Sequence, residues 1–237
     1  MHPIGVSSWI FLFYLLVLLP AMALRSARVF NAPAEDPVRR AIPPLATIYR
    51  NTIVVLLLLF ALAWFTARTF DYHLFALSRY GTREVVAGAG ALIFQFVMMY
   101  VSHAVRSTDE LSDMAVNRMM PGSPRERALF SVVSVVAGIA EEAAYRGVLF
   151  SILWYALGNP WLAVLISALA FAAGHALQGW KSMVVIFVMA CSMHALVWYT
   201  GTLVIAMAVH ATYDLLAPTI RRRISPAPPT NPGKSAG

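Results

Sequence analysis

The chain has 237 residues, of which 59% are hydrophobic and only 12% charged, and its mean hydropathy is +0.69. A soluble domain carries about 25% charged residues, so a water-surrounded globule is excluded and a bilayer is the fitting solvent. The formal charge of +7 comes from 18 basic residues, 16 of them Arg, scattered through connecting segments and the tail. No basic amphipathic helix or aromatic-interleaved basic patch accompanies them, so no nucleic-acid partner is expected and the charge reads as membrane topology.

A spanning helix needs about 20 mostly apolar residues. Seven segments qualify in chain order: 9–24, 52–67, 85–105, 128–157, 161–178, 183–199 and 203–217. The expected fold class is therefore all-α, a polytopic transmembrane bundle of about seven spanning helices. The first segment competes with a signal-peptide reading, but its leader MHPIGVSS lacks a basic residue. The fourth segment is too long to cross straight and predicts tilt, a kink near Gly138 or a re-entrant stretch. Residues 121–124, Pro-Gly-Ser-Pro, signal a turn. The chain divides into N-terminal helices and loops over 1–126, a core over 127–217, and a Pro-rich tail over 218–237 that is too polar to pack and is expected to be disordered.

Basic residues orient the bundle. With the N-terminus outside, the inner segments 25–51, 106–127, 179–182 and the tail hold five, four, one and four Lys or Arg, fourteen in all. The outer segments hold three. The excess places the C-terminus in the cytoplasm and the chain in a plasma or inner membrane, with lipid as its surroundings.

Some charges lie where connecting segments cannot explain them. Glu141, Glu142, Arg146 and Asp214 fall inside apolar spans, as do His175, His194 and His210. Each charge at mid-bilayer costs about 2.5–3.5 kcal/mol on insertion scales, so such groups must meet one another or water, and they mark a site. Glu142 and Arg146 are four apart and pair on one helix face, the reading being a structural clamp. Glu141, turned about 100° away, is left as the carboxylate without a local partner. His210 and Asp214 are also four apart. His175 sits beside Gly174, where two helices can approach closely. His194, alone, reads as a hydrogen-bonding core residue, and the single cysteine, Cys191, as packing. A carboxylate in a dry setting is a competent general base near neutral pH. Glu141 with His175 would hold and deprotonate a water, and His210 with Asp214 would donate to a developing oxyanion. No G-x-S-x-G nucleophile elbow is present.

The same residues carry a resemblance. EEAAYR (141–146), FAAGH (171–175) and HATYD (210–214) resemble, in order and spacing, the E-E-x-x-x-R, F-x-x-x-H and H-x-x-x-N motifs of the type II CAAX prenyl endopeptidases. These belong to the wider CPBP (CAAX protease and bacteriocin-processing, Abi) group, which includes bacteriocin-immunity and lysostaphin-resistance-like proteins. Gly201-Thr202-Leu203 before the last helix also fits, and the likeness covers roughly 127–217. It implies a helical membrane fold with a cavity reached from the cytoplasmic side. It assigns water activation to Glu141 and His175, the oxyanion hole to His210 and Asp214, and supporting or substrate-binding roles to Glu142 and Arg146. Asp214 stands where the family has Asn; ionised, it would repel an oxyanion, so it must carry a proton or orient His210.

The expected function is a glutamate-dependent CAAX-type intramembrane endopeptidase acting on a membrane-associated peptide or protein, prenylated or not. No cofactor is called for. One alternative is a zinc peptidase, with Glu141 or Glu142, His175 and His210 as ligands, although H-E-x-x-H is absent. Another is a non-catalytic immunity or binding protein. A transporter would show paired half-sequences, yet all buried charge follows residue 140.

Overall fold

The computed structural model describes residues 5–33, 36–37, 42–69, 72–75, 81–113 and 115–224. Those residues form helices only: α1 (Val6–Phe30), α2 (Leu45–Thr69), α3 (Thr82–Ala104), the short α4 (Thr108–Asp113) and α5 (Ala115–Arg118), α6 (Pro124–Leu157), α7 (Pro160–Gly174), α8 (Trp180–Thr200) and α9 (Leu203–Ile224). Six of them are long and apolar enough to cross a bilayer. The chain is a multi-pass membrane protein.

The turns between helices follow local chemistry. Ser123 caps α6: its hydroxyl accepts the Glu126 amide, and the Glu126 carboxylate accepts the Ser123 amide, with Pro124 in the first turn. The Pro-Gly-Ser-Pro turn is thus also a helix start. Gly158 (φ 64°) ends α6, and the Asn159 side chain accepts the Trp161 and Leu162 amides to begin α7. Gly201 (φ 68°) ends α8, and the Thr202 hydroxyl accepts the Val204 amide. Near these two turns Trp154, Trp161 and Trp198 lie in a row, ring centroids 6.0 and 6.4 Å apart. Such a row marks a membrane–water interface. Trp180, eighteen residues before Trp198 and exposed, marks the other face about 27 Å away, close to the hydrocarbon thickness.

α6 is the axis of the bundle. Its first half packs on α2 and α9, and its second half on α7. α3 packs across α8 and α9. Between the halves of α6, Glu142–Leu149 is a π-helix, every residue of it buried. This wide turn, rather than a kink at Gly138, is how the long segment departs from a plain helix. The Ser167 hydroxyl of α7 donates to the Tyr145 carbonyl at 2.9 Å, meeting a backbone group within the π stretch. Gly138 is instead the point of closest approach. A Cβ there would lie 2.7 Å from the Ala211 amide nitrogen and 2.8 Å from its Cβ. At Gly174 a Cβ would meet only the Tyr145 hydroxyl at 3.7 Å, so the close packing expected there falls at Gly138.

Two boundaries differ from the sequence reading. The fifth segment, expected to span over 161–178, is a helix of only 15 residues, Pro160–Gly174, about 22 Å long and short of the hydrocarbon core. His175 is its C-cap, and a 3-10 turn (Ala176–Gln178) and Gly179 at φ 83° reverse the chain before α8. The last helix outruns its expected end: residues 218–224, taken as the start of the tail, are its final turns. They are held because Arg222 donates to the Pro121 carbonyl, and the Ile224 carbonyl accepts from His103 Nε2 at 2.7 Å. Residues 225–237, the rest of the expected disordered tail, lie outside the described residues.

Candidate active site

Three helices bring the buried ionisable groups together. Glu141 and Glu142 come from the middle of α6, His175 from the end of α7, and His210 and Asp214 from α9. Glu141 lies 13 residues from Trp154, at most about 20 Å from that interface and so within the span. The Gly138–Ala211 contact sets the spacing of α6 and α9, one turn from the glutamates and one residue from His210.

His210 is the hub. Its Nδ1 is 2.8 Å from Glu142 Oε1 and, facing a carboxylate, donates to it. Its Nε2 is 3.7 Å from Glu141 Oε2 and 3.6 Å from Asp214 Oδ2. Glu142 Oε1 also lies 3.1 Å from Arg146 Nη1, an ion pair without hydrogen-bond alignment, since that nitrogen has no hydrogen-bond partner. Both members of this pair are fully buried. The Arg146 guanidinium sits 4.3 Å from the Phe171 ring centroid, a cation–π contact. The clamp expected between Glu142 and Arg146 is present, and Glu142 has a second task, holding His210.

Phe171 is a shared floor. Besides Arg146 it contacts the His175 ring at 4.6 Å and the His210 ring at 6.1 Å. His175 Nδ1 is 2.8 Å from the Phe171 carbonyl, an acceptor, so Nδ1 carries the hydrogen and Nε2 of the neutral ring keeps its lone pair. Glu141 and His175, expected to act together, line the same cavity but form no ion pair with each other within 4.0 Å; the near neighbour of Glu141 is His210. His194 is buried and packs on Phe150 at 5.5 Å, as a core residue does, but its Nε2 has no hydrogen-bond partner, so the hydrogen bond expected of it is not seen there.

Two cavities meet at this cluster. The larger, about 460 Å³, has Glu141, His175, His210 and Asp214 at one end, then apolar walls including Leu56, Met99 and Phe130. It reaches Met119 and Met120 beside α5. That segment is tied down by hydrogen bonds from the Tyr49 hydroxyl to the Met119 carbonyl and from Arg118 to the Phe30 carbonyl. The smaller, about 100 Å³, shares His175, His210 and Asp214 and adds Glu142, Arg146 and Gln95 with Met189 and Met193. Gln95 was not singled out in the sequence, although a lone amide within the run GALIFQFVMMYV was a readable signal. Among the described residues no group of three His, Cys, Asp or Glu side chains is arranged to hold a metal ion.

This is a membrane protein with a cluster of carboxylates and histidines opening on an apolar cavity. Residues 124–216 match one family model, described as type II CAAX prenyl endopeptidase Rce1-like. The chain thus carries an Rce1-like domain, running from the first turn of α6 to just past Asp214. No curated protein and no solved structure matches the chain. α1 to α3, and with them Gln95, lie outside the matched stretch.

Proposed function

We propose that the chain is an intramembrane endopeptidase that hydrolyses a peptide bond of a membrane-associated substrate through a Glu141-activated water. The observation that carries this reading is the larger cavity: Glu141, His175, His210 and Asp214 line a space of about 460 Å³ whose walls are otherwise largely apolar. Glu141 keeps part of its surface in that cavity, whereas Glu142 is sealed behind it.

In this mechanism Glu141 takes a proton from water while His175 Nε2 accepts the second hydrogen and fixes the water's position. The oxygen attacks the scissile carbonyl. The developing oxyanion is met by an N–H at His210 Nε2, with Asp214, carrying a proton, beside it. Glu142 and Arg146 act through His210: the Glu142 carboxylate fixes the ring by its Nδ1–H, and Arg146 balances that carboxylate. Glu141 then returns the proton to the departing amine. The distribution of Lys and Arg supports a cytoplasmic C-terminus and substrate entry past Met119 and Met120 from the cytoplasmic side. The substrate is a membrane-associated peptide, which need not bear a prenyl group.

The test is cleavage of a peptide library, with and without farnesyl-cysteine, by the purified protein in detergent, with and without chelator. Glu141→Gln is expected to lose about 10²–10⁴-fold in kcat, the range of general-base catalysis. Equal cleavage by variant and wild type removes Glu141 from the mechanism. Chelator-sensitive cleavage restored by zinc turns the reading to a metallopeptidase. A protein that cleaves nothing, and whose Glu141→Gln variant still supports function in cells, is an immunity or binding factor.

A further inference from the structure

The family match leaves α3 without a task beyond closing the bundle, yet α3 places one amide in the smaller cavity. Gln95 is only 4% exposed and shares that cavity with Arg146, His210 and Asp214. Its Nε2 lies 3.2 Å from Ser192 Oγ on α8. The Ser192 hydroxyl in turn donates to the Met189 carbonyl at 2.7 Å. A hydroxyl has one hydrogen to give. Ser192 must therefore accept from Gln95, which fixes the amide with its NH₂ end on Ser192. The carbonyl oxygen of Gln95 and its second N–H make no hydrogen bond to protein among the described residues, and the side chain lines the cavity.

A glutamine serving only to join α3 to α8 would use one of its two donors and neither lone pair of its oxygen in an apolar setting, an expensive arrangement. One free acceptor and one free donor on the same amide match the N–H and C=O that a single residue of an extended chain presents along one edge. The cavity holds about three waters or one modest side chain. A substrate residue next to the scissile bond fills it and brings its backbone to Gln95. Resting on the peptidase reading, we infer that Gln95 is a substrate-binding residue: it pairs with the backbone of the peptide within two residues of the cleaved bond and holds it extended against the His210 cluster.

The experiment uses a peptide that the wild type cleaves and a series in which each non-scissile amide in turn becomes an ester, removing one N–H. Wild type is expected to lose about tenfold in kcat/KM at one ester position, equivalent to about 1.4 kcal/mol. Gln95→Leu is expected to cleave the all-amide peptide about tenfold more slowly and to be indifferent to that ester. Ser192→Ala, which breaks the interhelical bond but keeps the amide, is expected to retain the discrimination. If Gln95→Leu does not accumulate, Gln95→Asn, too short by one methylene, is expected to lose the discrimination in the same way. Wild-type kcat/KM in Gln95→Leu, or undiminished ester discrimination in whichever Gln95 variant folds, overturns the inference and leaves the peptidase reading standing. A wild type that cleaves no peptide overturns that reading and this inference with it.

Discussion

Replacing Gly138 with Ala tests whether the spacing of α6 and α9 sets the site. The added Cβ would lie 2.7 Å from the Ala211 nitrogen and 3.0 Å from its Cα. Neither is the end of a flexible side chain, so the helices themselves must part. Ordinary contact begins at 3.4 Å, which requires an opening of at least 0.7 Å, the difference between 3.4 and 2.7. His210 is the residue before Ala211. Carried by the same amount, its 2.8 Å bond to Glu142 becomes about 3.5 Å, beyond the usual N–H···O range. Overpacking costs about 1–3 kcal/mol. Ala is the better helix former by about 0.5–1 kcal/mol, which offsets part of that cost. The expected variant therefore folds with a modest loss of thermal stability but falls on the order of 10²-fold in kcat, as misplacement by about 1 Å does. Cleavage rate and thermal unfolding in detergent are read side by side. Adding Ala211→Gly removes the 2.8 Å contact but not the 2.7 Å one, so rescue should be partial. A Gly138→Ala protein as active as wild type would refute the argument.

Two further substitutions probe the charges. Arg146→Met leaves the Glu142 carboxylate buried without its cation and is expected to destabilise by about 3–5 kcal/mol; joining it with Glu142→Gln should recover most of that, and thermal unfolding showing no recovery would dissolve the pair. Asp214→Asn keeps a donor beside His210 Nε2 and removes a carboxylate 3.6 Å from it. It should cost less than the roughly tenfold in kcat/KM that one hydrogen bond is worth, and a larger fall measured by initial rates would mean that the carboxylate orients His210.

What the sequence revealed of this site was whatever lies within a helical turn. Glu142–Arg146 and His210–Asp214 follow from a spacing of four, and both occur. The bond between His210 and Glu142 joins residues 68 apart, and no local pattern encodes it. It depends on Gly138 meeting Ala211, while the sequence reading placed the close approach at Gly174 and gave Gly138 only as a kink. Periodicity alone did not separate the two, because a glycine's neighbour is chosen by the partner helix. The short α7 was hidden for a related reason. Ala176 and Leu177 are as apolar as the helix before them, so hydropathy continued past Gly174 while the backbone did not. The tail boundary failed in the opposite sense, since Arg221, Arg222 and Arg223 read as solvated charge although their backbone completes α9.

The π stretch has a consequence for how α6 could tolerate change. In an uninterrupted α-helix each residue advances by 100°, so the face that Gly138 presents to α9 would dictate the face that Ile152 and Leu153 present further along. A wide turn between them breaks that phase relation. The first half of α6 answers to α2 and α9, the second to α7, and neither angle constrains the other. A one-residue deletion inside 142–149 that restored regular winding would impose a single phase on both halves. The seam with α7 and the seam with α9 could not then be satisfied together, whatever the side chains were.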